Sequence, residues 1–317
     1  MLVALVIDAG LGWPARLYAR IGHPVTWIGG LIAFLDSRLN REGDRERLRR
    51  AAGIVAALAT IGFVGGLAAL IASALPGGII GVALTGILAW PLVAARSMHE
   101  HVGAVARPLA AGDIEAARGA VAMIVGRDPS GLDEAGVARA AIESLAENTS
   151  DGVVAPLFWG ALLGLPGIAA YKAINTLDSM IGHRNARYAA FGWASARIDD
   201  VANLIPARLT GALFALASAA PSRALATMAH DARRHRSPNA GWPEAAMAGA
   251  LGVRLSGPRV YGDRVADEPW LNGEARDPGP ADLASALRLY RRAMAGLACV
   301  LAAIAVALLF AQFLAQA

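Results

Sequence analysis

Charge is scarce in this chain. Of its 317 residues 17% are Asp, Glu, Lys or Arg and 56% are hydrophobic, whereas soluble domains carry about 25% charged residues. That balance excludes an ordinary soluble domain and implies that much of the chain sits in lipid. Cysteine is nearly absent: Cys299 stands alone. No intrachain disulfide and no cysteine-based metal site can form. Cys299 also lies in an apolar run, where the thiolate that nucleophilic catalysis needs is disfavoured. Aromatic residues are few and do not interleave with basic ones. The net charge of +4 comes from scattered arginines, which the positive-inside bias of a membrane protein explains, and no nucleic-acid partner is expected. Also missing are GxxxxGK[ST], GxGxxG after a strand, HExxH and GxSxG. A nucleotide, if bound, is not held by a standard soluble nucleotide fold. The opening MLVALVIDAG lacks a basic n-region, so no cleaved leader is expected.

What is present is a set of apolar runs. Ala51 to Leu75, Ile79 to Ala95 and Ala293 to Leu314 carry no internal charge and are long enough, or nearly so, to cross lipid as helices. Pro76-Gly77-Gly78 separates the first two as a tight turn. Gly152 to Tyr171 is a further candidate, interrupted by Gly164-Leu165-Pro166-Gly167, and Val201 to Ala220 is apolar but contains Pro206 and Arg208. Arg38, Arg41, Arg45, Arg47, Arg49 and Arg50 place the flank before the first span in the cytoplasm. Between the spans, Asp113 is expected to cap a helix from Ile114 to Val125, and a second helix is expected from about Asp133 to Asn148.

The expected fold is an all-α integral membrane protein. It has four to five apolar membrane segments, including a broken, re-entrant helix pair, with cytoplasmic helical and loop regions. The chain divides into an N-terminal amphipathic, membrane-associated segment (1–50), a transmembrane hairpin (51–96) and a cytoplasmic helical region (97–151). A membrane core with the polar motifs (152–221), a cytoplasmic loop domain (222–292) and a C-terminal transmembrane helix (293–317) follow.

The polar motifs fall between Glu143 and Arg208. Glu143, Glu147 and Asp151 are spaced i, i+4, i+8 and share one face if the helix persists. Such a stack suits a magnesium–nucleotide site, because Mg²⁺ takes one or two carboxylates plus phosphate oxygens; it equally suits a solvated acidic face. Lys172, Thr176, Ser179 and His183 form a second stripe, with Asn175 and Asp178 beside it. Lys172 can hold phosphate as a point charge or reach out of the membrane boundary. Asp199 and Asp200 precede an apolar helix, where they can act as dipole partners, and Asp199 shares a face with Asn203. Arg208 stands in an apolar run, where an unpaired cation is costly, so an acidic or phosphate partner is expected. His235-Arg236-Ser237-Pro238-Asn239 is a basic turn able to receive an anion.

These motifs resemble the CobD/CbiB family, the integral-membrane cobinamide-phosphate synthases of cobalamin biosynthesis. The likeness runs through His23-Pro24-Val25-Thr26-Trp27-Ile28-Gly29, Ile124-Val125-Gly126-Arg127-Asp128, the whole of Glu143 to Arg208, Ser237-Pro238-Asn239-Ala240-Gly241-Trp242 and Ala248-Gly249-Ala250-Leu251-Gly252. One departure is Gly12-Trp13-Pro14, where the family commonly has Gly-Asp-Pro. The resemblance implies a ligase in the cell (inner) membrane with its site facing the cytoplasm. It joins adenosylcobyric acid to (R)-1-amino-2-propanol or its O-phosphate, giving adenosylcobinamide (phosphate), with ATP and Mg²⁺ and an acyl phosphate as the simplest activated form.

On that reading Glu147, Asp151, Lys172 and Asp178 are candidate catalytic residues. Glu143, Glu147, Asp151, Asp178, Asp199 and Asp200 are candidate metal ligands. Asn148, Asn175, Ser179, Arg197, Arg208, Arg236 and Asn239 are candidate substrate or phosphate binders. Membrane lipid, other membrane enzymes of late cobalamin assembly and a second copy of the chain are candidate partners. The alternative is a non-catalytic membrane sensor of the AmpE type on the same scaffold, which would need few of these polar motifs. A transporter fits less well, since no inverted repeat is visible.

Overall fold

The computed structural model describes residues 1–126, 128–261 and 264–316. It is 76% helical. Helices α1 (Leu2–Leu11), α2 (Ala15–Ile21), α3 (Pro24–Leu39), α4 (Glu46–Ser73) and α5 (Gly78–Ala89) lead to α6 (Ala95–Ala110), α7 (Ile114–Val121) and α8 (Glu134–Thr149). Then come α9 (Ala155–Ile181), α10 (Trp193–Ala202), α11 (Leu204–Ala217), α12 (Pro221–Asp231), α13 (Gly241–Leu251) and α14 (Pro280–Gln316). Two small antiparallel ladders interrupt this order. Strand β1 (Leu255–Ser256) pairs with β4 (Trp270–Leu271), and β2 (Arg259–Tyr261) pairs with β3 (Arg264–Ala266).

Four stretches are long and apolar enough to cross a membrane: Glu46–Ser73, Gly78–Ala110, Glu134–Ile181 and Pro280–Ala315. A fifth is the pair Leu2–Leu11 and Ala15–Leu39, bent by 106°. The protein is therefore an all-α, multi-pass membrane protein. The stretch from Val201 is less than a span: α11 has 14 residues, about 21 Å at 1.5 Å per residue.

The described chain forms two compact units. One comprises Val3–Ala94 with Asp151–Pro206; the other comprises Ala95–Ser150 with the chain from Ala207 on.

In the first unit α4 packs on α9 and α10, and α3 on both α4 and α9. The core holds Ile28, Ile32, Leu177, Ile181 and Phe191, with Ala56 and Ala57 as the small surface that lets the helices close. Gly53 shows how closely: a Cβ there would lie 1.8 Å from the Phe191 carbonyl oxygen. The bend after α1 is held by rings. The indole N–H of Trp90 donates to the Gly12 carbonyl and that of Trp13 to the Gly22 carbonyl, while Trp13 meets His23 edge-on at 5.0 Å. Trp13 thus builds the bend.

The break in α9 is real. Gly164 adopts φ 67°, ψ −149°, a region open only to glycine. Beyond it the chain turns back on itself. A Cβ on Gly167 would meet the Trp159 carbonyl oxygen at 2.2 Å, and the Tyr171 hydroxyl lies 3.3 Å from the Asp151 carbonyl oxygen. A straight helix would hold Asp151 and Tyr171 about 30 Å apart. The stretch expected as a broken pair is a helical hairpin.

In the second unit α6, α7, α8, α13 and α14 enclose Ile142, Leu145, Phe214, Met247 and Tyr290. The Asp113 cap is the one the sequence predicts, and Asp133, expected only as the start of a helix, caps as well. Asp113 accepts from the Ala116 N–H at 3.0 Å and Asp133 from the Gly136 N–H at 2.7 Å, although α7 stops at Val121 rather than Val125. From Val300 on, α14 is largely uncovered apolar surface, as a lipid-facing span requires.

Candidate active site

The first unit gathers most of the polar motif around Tyr171, whose ring is buried at the contact of α9 with α10. Its hydroxyl donates to Asn203 Oδ1 at 2.8 Å, and Asn203 Nδ2 donates to Asp199 Oδ2 at 3.0 Å. Asp151, Asp178 and Asp199 all lie within electrostatic reach of this hydroxyl. Asp151 also acts on the half-buried Lys172 ammonium, and Asp200 and His183 act on Asp178. The hairpin causes this convergence, because it returns Lys172 to the level of Asp151.

Asp151 itself sits in a π-helical turn, Ser150–Val154, that follows α8. Wide turns of this kind are frequent at functional sites. The turn also ends the i, i+4, i+8 stack expected of Glu143, Glu147 and Asp151. Arg197 and Asp200 form an ion pair at 2.9 Å, so two residues given separate roles by the sequence neutralise each other. The Ser179 hydroxyl donates to the Asn175 carbonyl at 2.8 Å, which leaves its oxygen lone pairs as the group it can offer.

The remaining candidates belong to the second unit. Glu143 is buried and its Oε1 accepts from the Ser256 backbone N–H at 2.7 Å, a bond that fixes β1 against α8. Glu147 is exposed on α8. Asn148 turns its amide back to the Ser144 carbonyl at 2.9 Å. Arg208 lies over the ring of Trp242, 4.3 Å from its centroid, and the Trp242 indole donates to the Pro238 carbonyl. Within this unit the Arg208 guanidinium is stacked on an aromatic face, a contact made through its plane rather than through its edge N–H groups.

The basic turn is pinned from several sides. His235 Nδ1 accepts from the Ser237 N–H at 3.1 Å, and its Nε2 faces Glu244 Oε2 at 3.7 Å with both side chains buried. Arg236 pairs with Glu268 at 3.2 Å. Ser237 Oγ accepts from the N–H groups of Asn239 and Ala240.

Among the described residues no three His, Cys, Asp or Glu side chains converge as a ready-made metal cage. The donors around Tyr171 are hard carboxylate oxygens, which suit Mg²⁺. A set without a complete cage suits an ion that brings phosphate oxygens with it.

Several site-building residues escaped sequence reasoning. Tyr171 adjoins Lys172 in the motif and reads there as apolar filler. Trp242 and Glu244 carry no local signal, since Arg208 and His235 reach them only through the fold. Asn203 was legible from its spacing to Asp199.

Residues 1–290 match the CobD/Cbib protein family. The chain is 69% identical over 306 residues to the cobalamin biosynthesis protein CobD of Rhodobacter capsulatus, covering 96% of each chain. It is 50% identical over 285 residues to that of a Sinorhizobium species, covering 87% of this chain and 88% of the relative. It is 49% identical over 302 residues to that of Brucella suis, covering 91% and 90%. No solved structure matches. With nearly its whole length matched in both comparisons, the chain belongs to the CobD/Cbib family.

Proposed function

We propose that this protein is a cobalamin-biosynthesis ligase of the cell membrane. It forms the amide between adenosylcobyric acid and (R)-1-amino-2-propanol or its O-phosphate, giving adenosylcobinamide or its phosphate. The observation that carries the reading is the match of residues 1–290 to a family whose curated members are named cobalamin biosynthesis proteins. The polar set around Tyr171 supports it, because a membrane protein keeps such a costly cluster for chemistry.

A carboxylate is a poor electrophile at neutral pH. Phosphorylation by ATP makes it an acyl phosphate, and the amine then displaces phosphate to leave the amide. Lys172 would counter the phosphate charge; Asp151 and Asp178 would hold the Mg²⁺ that accompanies ATP and neutralises its oxygens. No covalent protein nucleophile is required, so rate rests on positioning and electrostatic stabilisation. The arginines before α4 and those between Ser222 and Arg292 favour a cytoplasmic site.

The test is purified full-length protein with adenosylcobyric acid, aminopropanol phosphate and Mg-ATP, with the amide detected by mass. Product is expected from wild type, and at least a hundredfold less from Asp151→Asn and Asp178→Asn at unchanged expression, using about 10²-fold as the cost of losing one electrostatic contributor. Wild-type turnover in both variants would remove the carboxylates from the mechanism.

A further inference from the structure

Two nitrogen groups of the first unit come to one level beside Asp151. Helices α3 and α9 pack side by side. Their register is fixed where a Cβ on Gly29 would meet Met180 Sδ at 3.3 Å. His23 stands before Gly29 and Lys172 before Met180, about 9 Å and about 12 Å back along the two helices. The Lys172 ammonium accordingly acts on the His23 ring, as Asp151 acts on Lys172. That ring is held in one orientation. Its Nδ1 accepts from the Val25 N–H at 3.2 Å, and Trp13 meets it edge-on at 5.0 Å. Thr26 Oγ1 closes a capping box on the His23 backbone, accepting from its N–H at 3.2 Å and donating to its carbonyl at 2.7 Å. Because the Nδ1 lone pair is engaged by Val25, the proton of the neutral ring sits on Nε2. Among the described residues that N–H has no acceptor, and the Lys172 ammonium makes neither a hydrogen bond nor an ion pair.

We propose that His23 Nε2–H and the Lys172 ammonium together hold one phosphoryl group, which makes His23 a substrate-binding residue of the Tyr171 site; the proposal rests on the ligase reading above. Two N–H donors without a protein acceptor fit an oxyanion. Asp151 and Asp178 belong to the same site and repel a bare carboxylate. A phosphoryl group brings Mg²⁺ with it, and the metal turns those carboxylates into ligands. The tautomer sets the role of the ring. With its proton already on Nε2, it donates there and cannot take a proton from the attacking amine, so His23 binds and does not act as general base. A neutral donor also leaves Asp151 to the metal, for which a second cation would compete. One side chain thus has two separate tasks: Nδ1 caps α3, and Nε2 faces the ligand.

Two substitutions separate these tasks. His23→Asn keeps a strong N-cap acceptor and removes the Nε2 donor. Thr26→Val breaks the capping box and leaves Nε2 in place. The detergent-solubilised full chain is titrated calorimetrically with the magnesium complex of a non-hydrolysable ATP analogue, with 1-amino-2-propanol O-phosphate and with adenosylcobyric acid, and each variant's unfolding temperature is recorded. His23→Asn should unfold near wild type and bind one of the two phosphoryl compounds at least about tenfold more weakly, the cost of one hydrogen bond to a charged group. Which compound it is names the source of the phosphoryl group. Thr26→Val should lose unfolding temperature and keep both affinities. In turnover the KM for the affected compound should rise in His23→Asn while that for the corrinoid stays fixed. Equal affinities in His23→Asn and wild type, no binding of either phosphoryl compound to wild type, or a loss confined to adenosylcobyric acid overturns the site. An equal loss of affinity in Thr26→Val and His23→Asn overturns it too, because the ring then matters only as a cap. Amide formation with unchanged kinetics in His23→Asn overturns the site and leaves the ligase reading intact. Phosphoryl binding that depends on His23, in a protein that forms no amide, upholds the site and overturns the ligase reading.

Discussion

Tyr171 joins three parts of the chain through one hydroxyl. Its bonds reach Asn203 at the end of α10 and the carbonyl of Asp151 in the π-turn. Tyr171→Phe keeps the ring and removes the donor. The expected loss is about 1–3 kcal/mol, because Asn203 Oδ1 is left buried without that partner; thermal unfolding in detergent measures it. Ligation should fall with it, since Asp199 is held through Asn203.

A second residue sets a pH response. Asp277 takes two bonds from Arg254, at 2.9 and 2.6 Å, and pairs with Arg139. The Arg254 bonds, helped by Arg139 and opposed by burial, hold its carboxyl below the usual range. Because the folded value is depressed, its contribution is complete above the unfolded carboxylate pKa of about 4 and is lost as pH falls through the folded value. Wild type should therefore lose unfolding temperature more steeply than Asp277→Asn as pH drops below about 4. Parallel curves would show that the pair adds nothing.

At this scale legibility follows separation along the chain. The Asp113 cap acts over three residues and was readable, as was the helix start at Asp133. Glu143 and Ser256 are 113 positions apart, and nothing local marks a buried carboxylate as a backbone acceptor rather than a metal ligand.

Among the elements, the hairpin at Gly164 decides most about function. Its Gly-Leu-Pro-Gly break was visible because glycine and proline punctuate helices for reasons any sequence exposes. That the two arms close on each other depends on contacts between them, which the break alone does not specify. Gly164→Ala places a Cβ in a backbone region that excludes it and should cost about 1–3 kcal/mol, read as lowered unfolding temperature with a larger loss of ligation.

The hairpin also makes a topological prediction. Ala186 is exposed just beyond α9. A cysteine there, in a Cys299→Ala background, should resist a membrane-impermeant thiol reagent in intact cells and react after permeabilisation. Labelling from outside would place α9 across the bilayer. The two-residue strands β1 and β4 gave no sequence signal: their ladder is too short for alternation to show, and they are positioned by Glu143 and by the ring of Trp270.

For the whole molecule, apolar runs long enough to cross lipid made the fold class plain, while the partition into two units was not, because each unit draws on stretches that are distant in sequence. The first takes Val3–Ala94 and Asp151–Pro206; the second fills the gap and the remainder. This interleaving has a consequence for how the protein is made. A ribosome delivers the chain from one end, so α4 leaves it long before Phe191, which covers Gly53, and before α9, which packs along the same helix. Until Phe191 has been synthesised that groove faces lipid, insertion machinery or a wrong partner. The second unit waits longer still, for α14. No single cut yields either half intact: a chain split between residues 126 and 128 should accumulate only when both fragments are made together, and ligation should return only then. Synthesis of this protein is a period of deferred closure, and its most vulnerable moment falls between the emergence of α4 and the arrival of α10.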